Sequence, residues 1–122
     1  MGLRILAVDD SRTIRDLLAA TLSAAGMDVT LAEDGVEGLE MLRRMGRPDA
    51  ILSDINMPRL DGFGFIHAVR EIDPMRAVPI LVLTTESAPE LKTRAREAGA
   101  TGWIVKPFDP ERLVHSIRKV TG

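Results

Sequence analysis

Apolar residues fall along this chain in two alternating rhythms. Short runs, Leu3–Val8, Asp28–Ala32, Asp49–Ser53, Pro79–Leu83 and Thr101–Val105, have the length and apolar density of strands in a buried sheet. Between them lie longer stretches with apolar residues three and four apart, the spacing of a helix that buries one side. Thr13–Ala25 carries Ile14, Leu17, Leu18, Thr21 and Leu22 on one face and closes at Gly26, a residue suited to a helix C-cap. Asp34-Gly35-Val36-Glu37 has capping-box spacing and opens a helix through Leu39, Leu42 and Met45 that ends near Gly46. Gly62–Ile72 supplies the third helix through Phe65, Ile66 and Val69. Ser87-Ala88-Pro89-Glu90 opens a fourth, with Ser87 as cap, Pro89 in the first turn and Glu90 as the capping-box partner. Asp109-Pro110-Glu111 starts the last, through Leu113, Ile117 and Val120.

Strands separated by helices predict an α/β fold with right-handed crossovers, a parallel sheet and helices on both faces. No stretch remains for a linker, a repeat or a second core, so residues 1–122 are expected to form one domain without an effector domain. An apolar fraction of 45% and a charged fraction of 28% are ordinary for a globular protein. The net charge of -2 offers no basic field to nucleic acid or to an anionic membrane. No apolar run approaches the roughly 20 residues of a bilayer span. Met1-Gly2-Leu3-Arg4 enters the first strand at once, so no secretory leader is expected. Cysteine is absent, which excludes a disulfide framework and a thiolate metal site and fits a cytoplasmic protein.

In a doubly wound sheet, ligands bind beyond the carboxyl ends of the strands. Four apolar segments here run straight into polar residues of different kinds. Leu3–Val8 meets Asp9-Asp10, Ala50–Ser53 meets Asp54, Ile80–Leu83 meets Thr84, and Gly102–Val105 meets Lys106. Parallel strands would gather them on one edge, giving three carboxylates, a hydroxyl and an ammonium. Adjacent carboxylates repel unless a cation joins them, and oxygen-only ligands suit Mg²⁺ better than zinc. Asp54 would complete such a site or attack phosphorus as a nucleophile. Plainer roles exist for each residue taken alone. Asp10 or Ser11 would cap the next helix, Asp54 would satisfy turn amides before Pro58, and Thr84 would serve as a turn hydroxyl. Lys106 has fewer, because an ammonium at the end of a buried strand must reach either solvent or the carboxylates. Pro107 behind it is a candidate for a cis peptide. His67 and His115 fall on exposed helical positions without a partner, Met41 and Met45 read as core filling, and Gly62 and Gly64 lack a phosphate-binding fingerprint.

With these residues in place, the chain resembles the receiver domain of two-component response regulators over essentially its whole length, closest to their stand-alone chemotaxis branch. The likeness rests on Val8-Asp9-Asp10-Ser11, Asp54-Ile55-Asn56-Met57-Pro58 with Asp61-Gly62 beyond, Thr84, and Lys106-Pro107-Phe108, in the family's order. It implies a flavodoxin-like, doubly wound five-stranded parallel sheet with strand order 2-1-3-4-5. It implies Asp54 as phosphoacceptor, with Mg²⁺ held by Asp9, Asp10, Asp54 and the backbone carbonyl of Asn56. Lys106 would contact the phosphoryl group and Thr84 would be drawn toward it. Trp103 stands where the family carries a tyrosine or phenylalanine that turns inward, a departure because a larger ring fits that place differently.

The resemblance also implies a monomer that is a phosphoacceptor rather than an enzyme, although it promotes its own phosphotransfer and dephosphorylation. Its partners would be a CheA-like histidine kinase as donor and a FliM-like flagellar motor switch protein as target. The output face would comprise the fourth helix, fifth strand and fifth helix, with Ser87, Lys92, Arg96, Trp103, His115 and Ser116. A phosphate sink or relay intermediate is the alternative within the family. An aspartate-nucleophile phosphohydrolase would need a general acid where Asn56 stands, and a flavin module would need aromatic loops that four aromatic residues do not supply.

Overall fold

A computed structural model describes residues 2–122. The strands are β1 (Arg4–Val8), β2 (Asp28–Ala32), β3 (Ala50–Ser53), β4 (Ile80–Thr84) and β5 (Gly102–Val105). They alternate with α1 (Arg12–Ala24), α2 (Gly35–Met45), α3 (Gly62–Arg70), α4 (Pro89–Ala98) and α5 (Pro110–Thr121), and a short 3-10 turn at Asp73–Met75 precedes β4. All pairings are parallel, in the order β2-β1-β3-β4-β5 that the resemblance implies. No helix among the described residues is long and apolar enough to cross a membrane.

Alternation along each strand splits the core into two layers. Leu6, Val8, Ile51, Ile80 and Val82 face α2, α3 and α4, where they meet Leu42, Phe65, Ile66, Val69 and Ala95. Ile5, Ala7, Ala50, Leu52, Leu81 and Leu83 face α1 and α5, against Leu18, Leu22, Leu113 and Ile117. The three central strands are buried along nearly their whole length, and apart from Arg4, Ser53 and Thr84 at their ends their residues are all apolar. β2 and β5 lie at the edges and are only partly covered.

Two sequence-based expectations differ from the structure. Helical spacing puts Leu17 on the buried face of the first helix, yet it is 46% exposed. Leu18 and Leu22 point squarely at the sheet, and Leu17, about 100° around the helix from Leu18, lies beyond the rim of that contact. Ser87 does not cap α4. Proline occupies the first helical position, so the cap is the residue before it, Ala88, which has no side chain to offer the free amides. The other helices start as their sequences suggest, with Ser11, Asp34, Asp61 and Asp109 accepting from the backbone N–H three residues on. Met41 and Met45 pack partly buried against the α2–α4 layer.

Candidate functional site

β1 sits between β2 and β3, so the winding direction reverses at the end of β1, where such folds open a crevice. Val8 pairs with Ser53, which places Asp9 and Asp54 side by side just past the two strands. One oxygen each from Asp9, Asp10 and Asp54 lie within 4.8 Å of one another. Asp9 and Asp54 are nearly sealed at 1% and 7% exposure, whereas Asp10 faces solvent. The trio therefore forms a cleft floored by two buried carboxylates with a third at its mouth.

Lys106 closes this cluster from β5. Its ammonium donates to Asp9 Oδ2 at 2.7 Å and to Asp54 Oδ2 at 3.0 Å, and its side chain is only 9% exposed. The Lys106–Pro107 peptide is cis. Burial works to lower the lysine's pKa, but hydrogen bonds to both aspartates and their charges outweigh it and raise the value, keeping the amine protonated. Asp9 moves upward because burial outweighs the donors from Lys106 and the Ser11 N–H. The other Asp54 oxygen accepts the Ile55 N–H at 2.6 Å. Gly62 lies so close behind Asp54 that a Cβ there would stand 2.2 Å from its carbonyl oxygen, so only glycine lets α3 begin at this point.

Thr84 ends β4 fully buried, and its hydroxyl accepts the Glu86 N–H at 3.4 Å. Trp103 Nε1–H donates to the Glu86 carbonyl at 2.9 Å while the ring packs on the α2–α4 core layer. Glu86 is thus gripped at its amide by one residue and at its carbonyl by the other. Asn56 is exposed, with its side-chain amide 3.5 Å from the Glu86 carboxylate. Of the outer-face residues, Lys92, Arg96 and Trp103 line one cavity between α4 and β5. His115 is exposed and Ser116 half-buried on α5, and His67 lies exposed on α3, 3.7 Å from Glu71.

The carboxylate floor, a protonated amine and a buried hydroxyl suit a divalent cation bound with a phosphoryl group. Hard oxygen ligands fit Mg²⁺, and the donor set contains no sulfur or imidazole. Some supporting residues carry no signal in the linear pattern. Arg15 donates to the Asp9 carbonyl at 2.7 Å, and Arg59 forms a two-point pair with Asp34, at 2.8 and 3.1 Å. Arg15 reads in sequence as a solvated helix position, and Arg59 takes a left-handed backbone, φ 64, that its residue type does not announce.

Residues 5–118 match the family model for the response regulator receiver domain. Response regulator MprA of Mycobacterium leprae is 45% identical over 116 residues, covering 95% of this chain and 50% of that protein. MprA of Mycobacterium tuberculosis is 42% identical over 118 residues, covering 97% and 50%. The chain therefore spans about half the length of these curated relatives. Chemotaxis protein CheY4 of Vibrio cholerae superposes with a TM-score of 0.94 at 45% identity, over 98% of this chain and 99% of that one. The receiver domain of sensor histidine kinase PA1611 from Pseudomonas aeruginosa, with a magnesium ion coordinated in its active-site cleft, superposes at TM-score 0.92 and 31% identity, over 100% and 99%. Sequence and architecture agree along nearly the full length, and the chain belongs to the response regulator receiver domain family.

Proposed function

We propose that Asp54 accepts a phosphoryl group from a histidine kinase and that the chain signals through its α4–β5–α5 face. Receiver domains take phosphate from histidine kinases and bind Mg²⁺ at an acidic pocket. The observation that carries the reading is the Lys106 ammonium bridging Asp9 and Asp54, with Asp10 beside them. Asp9, Asp10, Asp54 and the Asn56 carbonyl would hold Mg²⁺, which supplies positive charge against the phosphoryl oxygens. An Asp54 oxygen attacks the phosphorus of a phosphohistidine. The P–N bond breaks as the P–O bond forms, and the imidazole leaves with the bonding electron pair and is then protonated. Lys106 turns from the carboxylates to a phosphoryl oxygen.

Thr84 then supplies the output step. Charge-assisted hydrogen bonds contribute about 1.5–3 kcal/mol each, so Lys106 and Thr84 together offer roughly 3–6 kcal/mol. Shifting a population from mostly off to mostly on takes about 5.5 kcal/mol, so two such contacts suffice in order of magnitude. A hydroxyl drawn toward phosphate releases the Glu86 amide, and the Glu86 carbonyl holds Trp103. The indole and the α4–β5 cavity beside it would respond.

The 122 residues act as one receiver domain, monomeric and cytoplasmic, without an effector domain among them. Full-length agreement with chemotaxis protein CheY4 supports the flagellar motor switch as target, with a CheA-like kinase as donor. Acetyl phosphate with Mg²⁺ should label the native chain and leave Asp54→Asn unlabelled, and stable label on the variant overturns the acceptor assignment. Phosphorylated chain should co-precipitate a FliM-like motor switch protein. No capture in the presence of phosphoryl donor would favour a phosphate sink or relay role.

A further inference from the structure

The loop from Ile55 to Asp61, between Asp54 and α3, is tied down at both ends, and between them Met57 rests half-buried on the core while Asn56 and Pro58 are exposed. Its base is closed by the Gly62 N–H donating to the Ile55 carbonyl at 2.8 Å. Its far end is fastened to α2. Arg59 Nε donates to Asp34 Oδ2 at 2.8 Å and Nη2 to Oδ1 at 3.1 Å, while the Gly35 N–H donates to the Leu60 carbonyl at 3.2 Å. A Cβ on Gly35 would stand 2.7 Å from that carbonyl, so the approach is close. Asp34 is a rigid anchor: it is 2% exposed and already accepts the Glu37 N–H as the cap of α2. The bracketed residues Asn56–Pro58 belong to no helix or strand, and Asn56 is exposed.

We propose that Asp34 and Arg59 are positioning residues that hold the Asn56–Pro58 segment in the shape the divalent-cation site requires. This inference rests on the reading of the acidic pocket given above. The direction in which the Asn56 carbonyl points depends on the torsions of an exposed residue between buried Ile55 and half-buried Met57, and the anchored far end supplies the remaining constraint on the segment. Arg59 makes this pair from a left-handed backbone, φ 64, so the ion pair and the turn occur at the same residue. The pair touches neither the cation nor the phosphoryl group and acts through the segment it holds.

Mg²⁺ titration of the full chain, followed by the backbone amide resonances of Asp9, Asp10 and Asn56, tests it. Arg59→Gly keeps access to positive φ and removes the guanidinium, and Asp34→Asn keeps a capping oxygen, so neither substitution removes the turn or the cap. Each should weaken Mg²⁺ binding by roughly tenfold, at the low end for residues that orient metal ligands. The double variant should be no weaker than either single, because the two act as one unit. The Mg²⁺ concentration giving half-maximal acetyl phosphate labelling should rise by the same factor. A simple charge effect would move the two variants oppositely, since one loses a positive and the other a negative group, and that result overturns the inference. So does affinity within about twofold of native in both. A native chain that binds no Mg²⁺ and takes no label overturns the pocket reading and this inference with it, whereas native binding with unaffected variants removes the inference alone.

Discussion

Both oxygens of the Asp9 carboxylate and its backbone carbonyl carry a protein donor: the Ser11 N–H, the Lys106 ammonium and the Arg15 guanidinium. Lys106 alone balances the two buried carboxylates among the described residues, and removing one member of a buried pair leaves the other uncompensated. Lys106→Met should therefore lower the unfolding free energy in Mg²⁺-free buffer by roughly 3 kcal/mol, read by urea denaturation. Added Mg²⁺ should recover more stability in the variant than in the native chain, because it replaces the missing charge. At this scale the strand-end residues Asp9, Asp54, Thr84 and Lys106 stood out in the sequence, since a polar group closing an apolar run is conspicuous. Asp34 is legible only as a helix cap, and its pairing with Arg59 is not legible, because the contact spans 25 positions and no residue pattern announces it.

Helices are anchored unequally. Ser11, Asp34, Asp61 and Asp109 hold the first turns of α1, α2, α3 and α5, while α4 begins at Ala88 with no side-chain cap. Ala88→Ser should supply the missing acceptor and raise stability by about 1 kcal/mol. Thermal unfolding of the two chains measures it, and an unchanged midpoint would mean that the free amides of α4 are satisfied by solvent at no cost. Element type and order were readable from periodicity because strands and helices differ so clearly in spacing. Boundaries moved by one or two residues, most instructively at α4, where the proline ring and not the hydroxyl of Ser87 decides the start. The exposure of Leu17 was hidden because helical spacing says which residues share a face but not how far the sheet beneath extends.

Across the whole molecule, the reversal of winding beside β1 brings residues as distant as Asp9 and Lys106 into one cleft. Periodicity predicts a parallel sheet but not which strands are neighbours, and that order entered through family resemblance. Acid stability is also a property of the whole fold. Hydrogen bonds from Arg59 hold the Asp34 carboxyl below its ordinary value of 3.8, against the opposing effect of burial. A lowered folded-state pKa contributes stability that is fully present above that value and lost as pH falls beneath it. Native stability should decline there more steeply than that of Asp34→Asn, so the two should converge in acid; urea melts between about pH 2.5 and 6 measure it. Parallel curves would show that the pair does not couple to folding. The amine of Lys106, lodged between two aspartates, is a resident counter-charge. A chain carrying its own cation keeps its two buried carboxylates compensated whatever the divalent-ion concentration around it.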